Sequence, residues 1–383
     1  MSHLLLAIIY LAFISLGLPD SVLGAAWPVM YTELGAPLSH AGLIAMIISL
    51  GTVVSSLLSD RLTRRFGSGL VTAVSVALTA AALFGFSCSR SFWQLCLIAL
   101  PYGLGAGGVD ACLNNYVALH YASRHMSWLH CMWGIGAATG PVIMGRAITG
   151  GLGWPMGYRM ISWLQVGLTA VLFVSLPIWQ KRPDADGEKR ANALSLHEIL
   201  RIPGVKEVLI CFFCYCAIEQ TAGLWAASYL VLANGVTEEL AASLAALFFA
   251  GITVGRALNG FLTFRFDDKT LIRLGCAVIL LGVVCIPFGG AASMAGFVLT
   301  GLGCAPVYPC VIHSTPAHFG AERSQAIIGV QMAAAYIGTC TMPPLFGLVA
   351  RHISVRLLPL DLLLLLGLMA LMHERLLKET AQS

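Results

Sequence analysis

The sequence of 383 residues predicts an all-α membrane protein: twelve transmembrane helices arranged as two pseudo-symmetric six-helix bundles. Three observations carry this. Hydrophobic residues make up 58% of the chain and charged ones only 10%, which excludes an ordinary soluble domain. The apolar residues gather in runs of about 20, the length that crosses ~30 Å of hydrocarbon. The two halves of the chain also repeat each other.

Twelve runs satisfy the length: 4–31, 39–58, 69–87, 92–119, 128–150 and 158–179, then 205–233, 239–263, 270–289, 294–316, 324–350 and 353–372. The 40 glycines and 16 prolines suit spanning helices, where neighbouring helices satisfy backbone groups freed at kinks. The first run holds a single charged residue, Asp20. A carboxylate there costs on the order of 2.5–3.5 kcal/mol and belongs in a bundle interior or beside water. The same run invites reading as a secretory signal, with small residues Gly24, Ala25 and Ala26 as a cleavage site, but it lacks a basic leading segment.

Charge placement sets the orientation. Sixteen of the 22 basic residues fall on one side: Arg61, Arg64, Arg65, Arg124, Lys181, Arg182, Lys189, Arg190, Arg201, Lys206, Arg265, Lys269, Arg273, Arg323, Arg375 and Lys378. Arg90, Arg146, Arg159, Arg351 and Arg356 fall on the other, and Arg256 lies within a helix. Both termini and the central loop are therefore expected in the cytoplasm, and the net charge of +4 reflects this skew rather than nucleic-acid binding. The twelve cysteines sit almost entirely in helices as packing residues, including the CxxC formed by Cys211 and Cys214.

The polar stretch from Gln180 to Arg201 divides an N-terminal bundle, 1–179, from a C-terminal one, 205–383, with a central loop over 180–204 and a possible short helix at 194–200. At an offset of 200, Gly51, Val54, Leu58, Leu62, Thr63, Arg65 and Phe66 recur as Gly251, Val254, Leu258, Leu262, Thr263, Arg265 and Phe266. At 198, Gly103-Leu104-Gly105 recurs as Gly301-Leu302-Gly303, and at 199 Asp20 meets Glu219. Three segments agreeing within two residues indicate a duplicated six-helix unit. Such repeats with acids near the midplane are the pattern of a transporter that rocks its halves.

Four stretches add a resemblance: SDRLTRRFG from Ser59, GLPDSVLGAAWP from Gly17, GLGAGGVDACLNNYV from Gly103 and WLHCMWGIGAATGP from Trp128, with CYCAIEQTAGLWAASYL from Cys214 as a second-half counterpart. The chain resembles the major facilitator superfamily over its whole length, and within it the fucose permease-like sugar:proton symporters. It departs from that pattern at Glu219 and His130, where Gln is expected, and at Asp110, where Glu is expected. The resemblance implies a monomer and leaves the solute unnamed.

Helical spacing then groups the candidates. Asp20, Gly24 and Trp27 share one face of a continuous first helix, as do Gly103, Gly107, Asp110 and Asn114 on the fourth and His130, Gly134, Ala137 and Pro141 on the fifth. Glu219 shares its face with Ala222 and Gly223, whereas Trp225 points elsewhere. Asp20, Asp110 and Glu219 are candidate proton-coupling acids, each with polar glue between helices as the alternative; Tyr215 and Gln220 are possible structural partners of Glu219. Trp27, Asn114, Asn115, His130, Trp133, Trp225, Tyr308 and Gln331 are candidate solute contacts; interfacial solvation or core hydrogen bonding accounts equally well for His130, and packing for Tyr308. Asp60, Arg64, Arg65, Arg256 and Asn259 read as a gating or structural loop, the first three as an inter-helix latch.

The expectation is proton-coupled uptake of a sugar or similar small polar solute, at a multi-pass inner membrane, with no metal or cofactor and H⁺ as coupling ion. Protonated and loaded, the bundle closes around a neutral site; empty and ionised, it resists burying the charge. Proton-driven efflux by the same fold, a membrane enzyme using His120, His125 and His130 with Asp110, and a non-transporting sensor are the rivals.

Overall fold

The computed structural model describes residues 2–20, 22–37, 40–179 and 194–381. Among these it has fourteen α-helices and no strand. They are α1 (Ser2–Gly17), α2 (Val22–Glu33), α3 (Ala41–Phe66), α4 (Ser68–Cys88), α5 (Phe92–His120), α6 (Ser123–Thr149) and α7 (Gly153–Ser175), then α8 (Leu196–Leu200), α9 (Val205–Asn234), α10 (Glu238–Leu262), α11 (Asp268–Cys285), α12 (Gly290–Phe319), α13 (Ala321–His352) and α14 (Leu358–Ala381). Ten described helical stretches are long and apolar enough to cross a membrane. Of the two remaining expected spans, α6 is helical but less apolar, and α10 carries an apolar stretch at Leu247–Leu262. The chain is a multi-pass membrane protein.

The helices form two compact units, residues 1–116 with 132–194, and residues 117–131 with 195–383. The hairpin 117–131, which the halves of the sequence assign to the first bundle, groups by its contacts with the second. Of the expected central loop, residues 180–193 lie outside those described. The remainder carries α8, started by a capping box in which Ser195 N–H donates to Glu198 Oε2 at 2.7 Å and Glu198 N–H to Ser195 Oγ at 3.3 Å. The Ser195 hydroxyl also donates to Glu198 Oε2 at 2.6 Å, and this bond, with the one from the Ser195 N–H, holds the Glu198 carboxyl below its usual range.

The first run is not one helix. It breaks between α1 and α2, and Asp20 lies in the turn. Pro19 has no amide hydrogen to continue the ladder, and the chain turns through tighter bonds, Asp20 N–H to Gly17 O at 3.1 Å and Val22 N–H to Pro19 O at 3.2 Å. The expected column of Asp20, Gly24 and Trp27 on a single helix is thereby corrected: only Gly24 and Trp27 share α2.

Glycines determine which helices touch, and the repeat recurs in three dimensions. A Cβ on Gly103 of α5 would fall 2.1 Å from Ile48 O of α3, and one on Gly301 of α12 would fall 2.3 Å from Phe248 O of α10. A Cβ added to Gly51 would fall 2.8 Å from Leu100 O and one on Gly251 3.0 Å from Val298 O; on Gly105 it would fall 2.7 Å from Ser75 O and on Gly303 2.8 Å from Gly275 O. Helix backbones pack in direct contact at these points, where any side chain would force them apart. Gly103→Ala and Gly301→Ala should each destabilise the protein by about 1–3 kcal/mol through overpacking. Gly167→Ala, at an exposed α7 position with nothing within 4 Å, should be neutral; thermal unfolding in detergent checks all three.

Candidate functional site

The candidate acids fall in two polar clusters, one in each unit, and the two are built on different electrostatics. In the first unit α1 and α6 pack backbone to backbone: a Cβ on Gly17 would fall 2.1 Å from Trp133 O, and one on Gly136 would fall 2.1 Å from Ile14 O. That contact sets Trp133 beside the helix break, where its indole N–H donates to Asp20 Oδ2 at 2.7 Å. Asp20 keeps an exposed face, and among the described residues it makes no ion pair. Tyr102 and Asp110 lie near enough to act on it electrostatically. Asp110 is buried on α5, where Asn114 Nδ2–H donates to its carboxylate at 2.7 Å and to its backbone carbonyl at 2.9 Å, one turn away. Trp27 is buried against Phe92, ring centroids 6.5 Å apart, and Asn115 is buried as well.

In the second unit the acid has a cation. On α9, Tyr215 and Glu219 are one turn apart, and the Tyr215 hydroxyl donates to Glu219 Oε2. Arg256 of α10 points an Nη at the same Glu219 oxygen and at the Tyr215 hydroxyl, 3.4 Å from each. Its guanidinium lies 5.9 Å from the ring centre of Tyr308 on α12, and the Tyr308 ring meets His130 edge-on at 4.4 Å. Glu219 is 8% exposed and Arg256 3%, so neither charge has much water. A buried ion without its partner costs several kcal/mol, and the two here supply each other's counter-charge. The second cluster thus sets a cation against its acid, whereas Asp20 and Asp110 accept from neutral N–H groups, the Trp133 indole and the Asn114 amide.

Other candidates have local tasks. Trp225 donates to Pro343 O at 3.0 Å and packs edge-on against Phe346 at 5.4 Å, tying α9 to α13. Gln331 is fully buried and accepts from the Thr315 hydroxyl at 3.1 Å. Asp60 pairs with Arg64 at 2.8 Å one turn along α3, within a helix rather than across two, and the Arg65 guanidinium lies 5.2 Å from the Phe66 ring centre. Asn259 donates to the Ser127 hydroxyl at 2.7 Å. Tyr102 had no sequence signal, because no spacing rule joins it to a turn some eighty residues earlier. The Arg256 contact with Glu219 likewise needs the α9–α10 packing to appear.

The Major Facilitator Superfamily model matches residues 9–293 and 208–382. The solved structure of the E. coli fucose:proton symporter superposes with a TM-score of 0.80 at 14% identity, covering 97% of this chain and 98% of that one. "Bypass of stop codon protein 6" of Saccharomyces cerevisiae is 23% identical over 91% of this chain and 77% of its own length. The glucose/mannose transporter of Bacillus subtilis is 19% identical over 79% of this chain and 77% of its own. With a family model matched along both halves, the chain belongs to the major facilitator superfamily and is a transporter, not an enzyme.

Proposed function

We propose that this transporter takes up a sugar or similar small polar solute together with a proton, by alternating access, and that the first-unit acids carry the proton. The observation that supports it most is Asp20: an exposed carboxylate at a helix break, held by an indole N–H and by no cation among the described residues. A carboxylate so placed becomes cheap to enclose only when a proton neutralises it. Broken helices at membrane depth are also where transporters of several folds bind solute and coupling ions. Glu219, matched by Arg256, needs no proton to be enclosed, so its role is to accept hydrogen bonds from solute hydroxyls. The sugar assignment draws on relatives named for glucose, mannose and fucose. On this reading H⁺ is the coupling ion, the carrier works as a monomer in the inner membrane, and both termini face the cytoplasm.

The cycle follows from charge. With solute bound beside an ionised Asp20 the carrier resists closing over a charge stripped of water; protonation removes that cost, and the empty carrier resets with the charge hydrated. Release to the other side returns the proton and restores the charge. A thermal-shift screen of sugars and polyols identifies a binding solute, since ligand raises the stability of the folded state. In proteoliposomes that solute should then drive alkalinisation of the medium. Asp20→Asn should abolish the alkalinisation while retaining solute counterflow, and Glu219→Gln should retain the alkalinisation with a raised KM. Alkalinisation that survives Asp20→Asn and Asp110→Asn together would sink the proton assignment.

The ion pair makes a separate prediction. Arg256→Met strands a buried carboxylate and should cost about 3–5 kcal/mol. The double variant Arg256→Met/Glu219→Gln should recover most of the lost thermal stability, and a double-mutant cycle on unfolding midpoints measures the recovery.

A further inference from the structure

The hairpin 117–131 lies on α10, α11 and α12, and its contacts converge on one carboxylate. Trp128 packs edge-on against Phe261 at 5.6 Å and covers Gly260, where an added Cβ would fall 2.0 Å from the indole nitrogen. The Arg124 guanidinium stands 5.0 Å from the ring centre of Phe264. At the tip, the Ser123 hydroxyl donates to Asp268 Oδ1, and Asp268 Oδ2 faces His313 Nδ1 at 2.6 Å. The other ring nitrogen of His313, Nε2, faces the backbone carbonyl of Tyr121 at 3.3 Å.

Both nitrogens of one imidazole therefore face acceptors. A carbonyl only accepts, so Nε2 carries a hydrogen, and the Nδ1 contact with a carboxylate needs another. With one hydrogen too few, either the Tyr121 carbonyl loses its donor or two lone pairs meet at Nδ1. The arrangement closes only when the His313–Asp268 pair holds one proton more than a neutral ring beside an ionised acid.

We propose that His313 is a proton-responsive catch for this hairpin: protonated, it ties the Tyr121 backbone to Asp268; deprotonated, it lets the hairpin leave α11 and α12. Other titratable groups surround it. Cys310 and His318 on α12 sense Asp268, and His373 on α14 senses His318. Asp267 pairs with Lys269 at 3.4 Å beside the catch. On the hairpin, His125 accepts from Arg124 Nε–H at 3.3 Å and meets Tyr121 edge-on. Among the described hydrogen bonds, only Asp268 and Tyr121 reach the His313 ring. Because α5 and α6 run from the hairpin into the first unit, a held hairpin resists rocking. That consequence rests on alternating access; the catch does not. The sign is fixed by the chemistry: held at low pH, released as pH rises through the imidazole range.

Hydrogen exchange of the full chain in nanodiscs, read by mass spectrometry between about pH 5.5 and 8.5 and corrected for intrinsic rates, tests this across the ordinary range of histidine titration. Hairpin amides 117–131 should exchange roughly tenfold faster at the alkaline end, as for loss of one charge-assisted hydrogen bond. His313→Gln should exchange fast throughout, and His313→Arg, whose guanidinium keeps its donors, slowly throughout. Unchanged exchange in α9 shows that each variant is folded, and Asp268→Asn, which should also lose the step, replaces any that is not. A pH step that persists in His313→Gln or Asp268→Asn, or a flat profile in the parent protein, would overturn the catch. The readout needs no solute, so failure of the proton-coupled uptake reading would leave it intact.

Discussion

A charge in hydrocarbon must be paired, hydrated or neutralised, and the polar architecture of this protein is a set of answers to that demand. The second unit answers by pairing: Arg256 and Glu219 cancel each other, with Tyr215 bonded to both. The first answers by breaking a helix, so that Asp20 stands at a turn with an exposed face and an indole N–H for company. The duplicated positions Asp20 and Glu219 thus differ in setting, one in a turn between helices and the other within α9 beside a cation. Among the described residues Asp20 has no cation beside it, whereas Glu219 has Arg256.

The packing that makes these answers possible is supplied by glycine. Gly17 and Gly136 bring α6 against α1 and so carry Trp133 to Asp20. Gly103 and Gly301, with Gly51 and Gly251, hold the equivalent helix pairs of the two units at backbone contact. In a membrane, where lipid is as apolar as the helices, such close approach is what association rests on. The catch at the hairpin is a third layer on the same scaffold, since Gly260 leaves room for Trp128 and brings Ser123 and Tyr121 to Asp268 and His313.

Composition and run length made the helical class legible, and the offsets of 198 and 200 made the duplication legible, because glycines in helix contacts are costly to change. Periodicity assumed a straight first helix and so misplaced Asp20 relative to Gly24 and Trp27; Pro19, in plain sight, carried the missing information. The pairing of Asp110 with Asn114 followed from a spacing of four, as did Tyr215 with Glu219. Arg256, Tyr102 and the His313 catch did not, since each depends on which helices pack side by side, a matter that no local spacing encodes. The same limit explains Trp225: its spacing from Glu219 showed that it points elsewhere, but not that it binds the Pro343 carbonyl.

The central claim is that each neutral solute crosses with one positive charge, taken up as a proton by the first-unit acids. A solute-jump current on a solid-supported membrane loaded with proteoliposomes reads that charge directly. The account predicts a sustained inward current for the wild type, enlarged by an inward proton gradient and lost in Asp20→Asn. Transport of the same solute at full rate with no current and no response to the proton gradient would contradict it.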